Sequence, residues 1–130
     1  MSNTDLLKHF FDAANRRDFG TVMDLYADDV DLVVPGPWIN GGVHRGKEAV
    51  GRFFGDWYRT FDGGPHFEIQ ETREAGEAVA LSANATARGG ISGVELETTY
   101  FYVYRVREGK VVHVQFYDDW DEAVAAAAHG

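Results

Sequence analysis

Tyr100, Tyr102 and Tyr104 recur at every second residue, and Asp118 follows them after one short turn. Side chains alternate along an extended strand, so the three phenols share a face with Val94, Leu96, Thr98 and Val106. The other face carries Glu95, Glu97, Thr99, Phe101, Val103, Arg105 and Arg107, which makes the tyrosine face the inward one. In the next strand, 110–118, Val112, Val114, Phe116 and Asp118 form the more apolar side, against Val111, His113, Gln115 and Tyr117. A hairpin through Glu108-Gly109 lays Phe116 and Asp118 beside the tyrosines. A carboxylate ending such an apolar row loses hydration, which raises its pKa toward that of a general base, while phenols donating to it act the other way. The chemistry this predicts is removal of an acidic C–H proton by Asp118, with Tyr100 or Tyr102 donating to the enolate oxygen. Two plainer uses stand beside it. Asp118 and Asp119 both suit the cap of a terminal helix, and tyrosines serve as core aromatics with satisfied hydroxyls.

Other chemistries have less to work with. Trp38, among two prolines and two glycines, is either a lid over a pocket or the anchor of its loop. His44 beside Arg45 is a surface histidine or a helper from that loop. His44, His66 and His113 lie far apart without ligand spacing, and the chain has no Cys, so metal, thiolate and disulfide chemistry are not expected, nor is a cofactor. A net charge of −9, with twelve Lys and Arg scattered along the chain, argues against nucleic acid as a partner. No segment approaches the ~20 apolar residues of a membrane span, and the first residues do not resemble a secretion signal, so a cytoplasmic protein without a membrane partner is expected.

The elements that must hold these residues change period part-way along the chain. Leu6, Leu7, Phe10, Phe11 and Ala14 mark one face of a helix over 4–17, with Asn3 or Thr4 as its cap. Asp18 can cap a shorter second helix with Phe19, Val22, Met23 and Tyr26 inward; Ala27-Asp28-Asp29 breaks it, and Val30 to Val34 reads as a strand. Pro35-Gly36-Pro37 ends that strand, and Trp38 to Arg45 reads as a loop. A third helix over 47–61 buries Ala49, Val50, Phe53, Phe54, Trp57 and Phe61. Strands near 67–73, 77–88, 94–107 and 110–118 follow, broken by Ala75-Gly76, by the glycines at 89, 90 and 93, and by Glu108-Gly109; residues from Asp121 to Ala128 form a short last helix. Helices first and hairpins afterwards argue one α+β domain over 1–130, with three N-terminal helices packed on a curved, mostly antiparallel sheet around one apolar pocket.

That element order, together with Tyr26-Ala27-Asp28-Asp29-Val30, Arg45-Gly46-Lys47-Glu48-Ala49-Val50 followed by Phe53-Phe54, and Gly109-Lys110-Val111-Val112 followed by Tyr117-Asp118-Asp119, resembles the NTF2-like superfamily of SnoaL-like and ketosteroid-isomerase-like domains. The resemblance implies a cone with one pocket, and it covers nearly the whole chain. The superfamily holds isomerases, cyclases, dehydratases, epoxide hydrolases and non-catalytic binding proteins, so function does not follow from it. Where a ketosteroid isomerase carries its base and its helix-one tyrosine, this chain has Val34 and Phe10; the isomerase's second oxyanion donor falls near Tyr102. The epoxide-hydrolase pattern needs an Arg inside the cone, yet Arg105 and Arg107 fall on the outward face. SnoaL-like cyclases carry an Asp at the end of the last strand, which corresponds to Asp118 by face or Asp119 by spacing.

The expectation is therefore a cofactor-independent acid–base enzyme of SnoaL-like cyclase or isomerase type, acting on an apolar carbonyl-bearing ligand. Asp118, Tyr102 and Tyr100 are its catalytic residues, and Trp38, Phe10, Val34, Phe54, Trp57, Tyr104, Val114 and Phe116 surround the ligand. The alternative is a non-catalytic small-ligand-binding module or a dimeric binding protein. A homodimer is expected through Phe101, Val103, Val111 and Tyr117 on the outward face, which a monomer would leave in water.

Overall fold

The computed structural model describes residues 2–38, 41–89 and 95–129, with the side chains of 60–64, 88 and 89 outside that description. Helix α1 (Asn3–Asn15) starts one residue earlier than its apolar row suggests. Ser2 caps it, accepting from the Asp5 N–H at 3.1 Å while the Asp5 carboxylate accepts from the Ser2 N–H. Asp18 caps α2 (Phe19–Leu25) by accepting from the Thr21 N–H, as expected. Strand β1 (Tyr26–Val34) already begins at Tyr26, because Tyr26 pairs with Val111 before an irregularity carries the chain to Asp31 opposite His113. The expected loop holds a short strand, β2 (Gly42–Arg45), antiparallel to β1. Helix α3 (Lys47–Thr60) is followed directly by β3 (Phe61–Ala75), then β4 (Ala78–Gly89), β5 (Glu95–Arg107) and β6 (Lys110–Tyr117), and α4 (Trp120–Ala128) closes the chain. The expected turn at glycines 90 and 93, the inward Val94 and the Phe61 side chain lie outside the described residues.

The six strands form one sheet in the order β2-β1-β6-β5-β4-β3. All neighbours are antiparallel except β1 and β6, which run parallel; the long connection between them holds β2, α3 and β3 to β5. The first three helices lie on the concave side, where Leu7, Phe10 and Phe11 meet Val30, Leu32, Leu81, Tyr102, Tyr104 and Val114 in one core. Asn15 fastens α1 to the free edge of the sheet: its amide donates to the Phe67 carbonyl and accepts from the Phe67 N–H, both at 2.8 Å. That clamp satisfies backbone groups an edge strand would otherwise leave open.

Two features correct the expected strand faces. A bulge in β6 sets Arg105 opposite His113 but Val106 opposite Val111, so Val111 turns into the core and Val112 is partly exposed. The tyrosine face of β5 is inward only from Tyr100 onward; Leu96 is 46% exposed because the first half of β5 pairs with β4 alone and projects past the core. The outward face is partly covered from within the chain. Ala123 and Ala127 of α4 pack on Ala78, Ala80 and Val103, with Phe101 and Tyr117 against the same cluster. Among the described residues, no helix is long and apolar enough to cross a membrane.

Candidate functional site

A cavity of about 380 Å³ lies between the helices and the sheet. Its floor is buried and aromatic, made by Phe10 and Phe11 of α1, Tyr26 of β1, Phe67 of β3 and Tyr102 and Tyr104 of β5. The rings meet edge to face, Phe10 on Tyr26 at 5.4 Å and Phe11 on Phe67 at 5.6 Å, as aromatic quadrupoles prefer. The walls come from α2 and α3, with Phe19, Met23, Gly51, Phe54, Gly55, Trp57 and Tyr58. Phe19 was expected inward but is 42% exposed; it packs edge-on against Tyr58 at 5.1 Å at the rim.

Four of the lining side chains are phenols: Tyr26, Tyr58, Tyr102 and Tyr104. None of their hydroxyls has a hydrogen-bond partner in the protein among the described residues, and none is sealed away, since no fully buried side-chain N or O there lacks a partner. Each therefore opens on accessible space. Burial pushes the Tyr102 and Tyr104 phenols well above the usual tyrosine range, and the neighbouring phenols add to it. Tyr26 rises for the same reasons; Tyr58 rises by burial, opposed by the Arg17 charge. These groups stay protonated and act as hydrogen-bond donors at neutral pH. Arg17 stands over the Tyr58 ring at 5.4 Å and donates to the Ala14 and Pro65 carbonyls. It occupies the left-handed residue of the turn ending α1, with φ 62°, where glycine is usual; a non-glycine residue there costs about 1–2 kcal/mol.

The expected site residues divide into two groups. Phe10, Phe54, Trp57, Tyr102 and Tyr104 line the cavity. Val34, Val114 and Phe116 are buried in the core outside its lining. Trp38 anchors the end of the cone by packing on Phe116 at 5.1 Å and Tyr100 at 6.1 Å, and Tyr100 is half-buried between Trp38 and Trp57. Asp118 is exposed beyond the last β5–β6 pair, Phe101 with Tyr117, and does not line the cavity; its N–H donates to Glu122 at 3.3 Å. Asp119 caps α4, accepting from the Glu122 N–H at 2.8 Å. Tyr58 and Arg59 also line the cavity and were not among the expected site residues, although Tyr58 lies one turn beyond Phe54 on the same helix face. Among the described residues no cluster of His, Asp and Glu could hold a metal ion, and the cavity lining contains no carboxylate or imidazole.

A family model, the SnoaL-like domain, matches residues 7–114. The chain belongs to the SnoaL-like family. Its fold agrees with solved structures over nearly their full lengths. A cystatin-like-fold protein of Xanthomonas campestris superposes with a TM-score of 0.79 at 24% identity, covering 93% of this SnoaL-like domain and 94% of the other chain. An NTF2-like protein of Burkholderia pseudomallei gives 0.78 at 23% identity, covering 96% and 97%. A Mycobacterium tuberculosis protein in complex with estradiol-17beta-hemisuccinate gives 0.75 at 21% identity, covering 91% and 94%. These identities speak to the NTF2-like fold alone. No curated protein matches the SnoaL-like chain in sequence at a significant level.

Proposed function

We propose that the cavity binds an apolar small molecule bearing a carbonyl or similar oxygen, held by the hydroxyls of Tyr26, Tyr58, Tyr102 and Tyr104. The observation that carries this is four phenols, without hydrogen-bond partners among the described residues, lining a mostly apolar cavity. A donor left without an acceptor beside apolar walls is costly, so the site is built for an occupant that accepts hydrogen bonds. The Mycobacterium tuberculosis fold neighbour, which forms a complex with estradiol-17beta-hemisuccinate, lends support. Among the described residues the lining supplies phenols and one guanidinium but no carboxylate or imidazole, which favours binding over the acid–base turnover expected of Asp118. Titration with Prodan, a naphthalene ketone whose emission reports hydrogen bonding to its carbonyl, tests the reading. Saturable binding with the emission of a hydrogen-bonded carbonyl is expected, and no binding at micromolar protein overturns it. Mass spectrometry of molecules retained on purification would name the natural occupant.

We also propose a homodimer, resting on what is left of the outward face. Val43 is 51% exposed there and Val33 is partly exposed on the neighbouring strand. Val103 and Val111, which first suggested the interface, are occupied within the chain. Light scattering in dilute solution tests this, and a monomer mass at micromolar concentration refutes it.

A further inference from the structure

The cavity has a direction. Its floor residues are buried, whereas Val22, Met23, Gly51, Gly55 and Tyr58 are partly exposed and Phe19 and Arg59 are exposed. Helix α2 packs on α1 and β1, and α3 packs on β1, β2 and β3; Met23 of α2 lies against Gly51 and Phe19 packs on Tyr58, with Gly55 between those two contacts. At the opposite end Trp38, Tyr100 and Phe116 pack on one another. Gly55 lies well inside α3, where glycine is a poor helix former, and among the described residues packing does not require it there: a Cβ would meet the flexible end of Arg59, at an ordinary 3.5 Å. What its bare Cα does leave is open space on the cavity wall.

Among the described residues the charged side chain in the cavity lining is a cation, Arg59, in a chain of net charge −9. Arg59 lines the cavity with an exposed guanidinium paired to Asp56, and Arg17 stands over Tyr58 on the other flank. We infer that the cavity is entered between α2 and α3, past Gly55, and selects amphiphilic anions, with the apolar body and any oxygen on the tyrosine floor and the anionic group at the Arg59 rim. This rests on the ligand-binding reading above and adds the entrance and the charge of the occupant. An anion at Arg59 shares it with Asp56, so the selection is moderate and falls with salt.

The test uses two probes with the same aromatic body, neutral N-phenyl-1-naphthylamine and its sulfonate, 8-anilinonaphthalene-1-sulfonate, titrated into the full chain by fluorescence. Arg59→Gln is expected to weaken the sulfonate by about three- to tenfold and to change the neutral probe by less than twofold, with 0.5 M NaCl acting in the same selective way on the parent protein. Gly55→Leu is expected to weaken both probes at least tenfold while the thermal midpoint is unchanged or raised, and Gly55→Ala to do so to a smaller degree. Equal effects of Arg59→Gln on the two probes, or none, overturn the charge selection. Tight binding of both probes to Gly55→Leu overturns the entrance. If the neutral probe does not bind the parent protein, the ligand-binding reading itself fails; if it binds and only the variant results miscarry, that reading stands and this inference alone falls.

Discussion

Removing one oxygen, in Tyr102→Phe, asks whether the cavity's phenols serve a ligand or the fold. Tyr102 is 1% exposed, and its ring packs on Phe116 at 4.9 Å, Tyr104 at 5.3 Å and Phe11 at 6.0 Å. Phenylalanine keeps all of these contacts and leaves no void, so the cavity penalty of a large-to-small change does not arise. The hydroxyl has no partner among the described residues, so its loss removes no hydrogen bond seen there and relieves a polar group of an apolar setting. Folding stability should stay the same or rise by up to about 1 kcal/mol, a gain of at most about 4 °C in thermal midpoint for a domain of this size. A ligand carbonyl loses a neutral hydrogen bond worth about 0.5–1.5 kcal/mol, which is about a two- to tenfold weaker Kd. Prodan titration and thermal melts of the two proteins read both quantities, and the bound Prodan emission should also move to the blue. A midpoint lowered by more than about 4 °C with unchanged Prodan affinity would mean that Tyr102 serves the core, and the reasoning from unpartnered hydroxyls would be refuted.

The remaining predictions concern pH, the acids after β6 and the edge clamp. Tyr26, Tyr102 and Tyr104 have folded-state pKa values raised above the unfolded value near 10, so the unfolded chain loses protons first. Stability is therefore full below pH ~10 and declines above it, by about 1.4 kcal/mol per pH unit for each phenol still protonated in the folded state; denaturant titrations at pH 9 to 12 should show this, with a shallower decline in Tyr104→Phe. Asp118→Asn should leave Prodan affinity and thermal midpoint unchanged, since Asp118 is exposed and off the cavity lining, and a loss of affinity would return it to the site. Asp119→Ala should cost about 1 kcal/mol by removing the α4 cap, read as a lower urea midpoint. Asn15→Ala should cost about 1–3 kcal/mol, because it strips both hydrogen bonds from the Phe67 backbone at the sheet edge, and hydrogen exchange should rise first at Phe67.

The family, the element order and the aromatic interior were legible in the sequence because they depend on local patterns. Helical spacing marked Phe10, Phe11, Phe54 and Trp57, strand alternation marked Tyr102 and Tyr104, and all six line the cavity. Parity held as long as the strands stayed regular. One extra residue in β6 turned Val111 inward, and nothing in Val111-Val112-His113 distinguishes a bulged strand from a straight one, since each order offers an apolar side chain to the core. Likewise, alternation shows that Asp118 shares a side with Phe116 but cannot show that pairing stops at Tyr117, which leaves the carboxylate in water. Only the tertiary structure decided which end of the cone is closed. Trp38 reaches Phe116 and Tyr100 across a long sequence separation, and the cavity wall depends on how Met23 and Phe19 of α2 meet Gly51 and Tyr58 of α3. The gathering of Tyr26, Tyr58, Tyr102 and Tyr104 has the same origin, because those residues come from β1, α3 and β5 and meet only when the sheet curls around the helices.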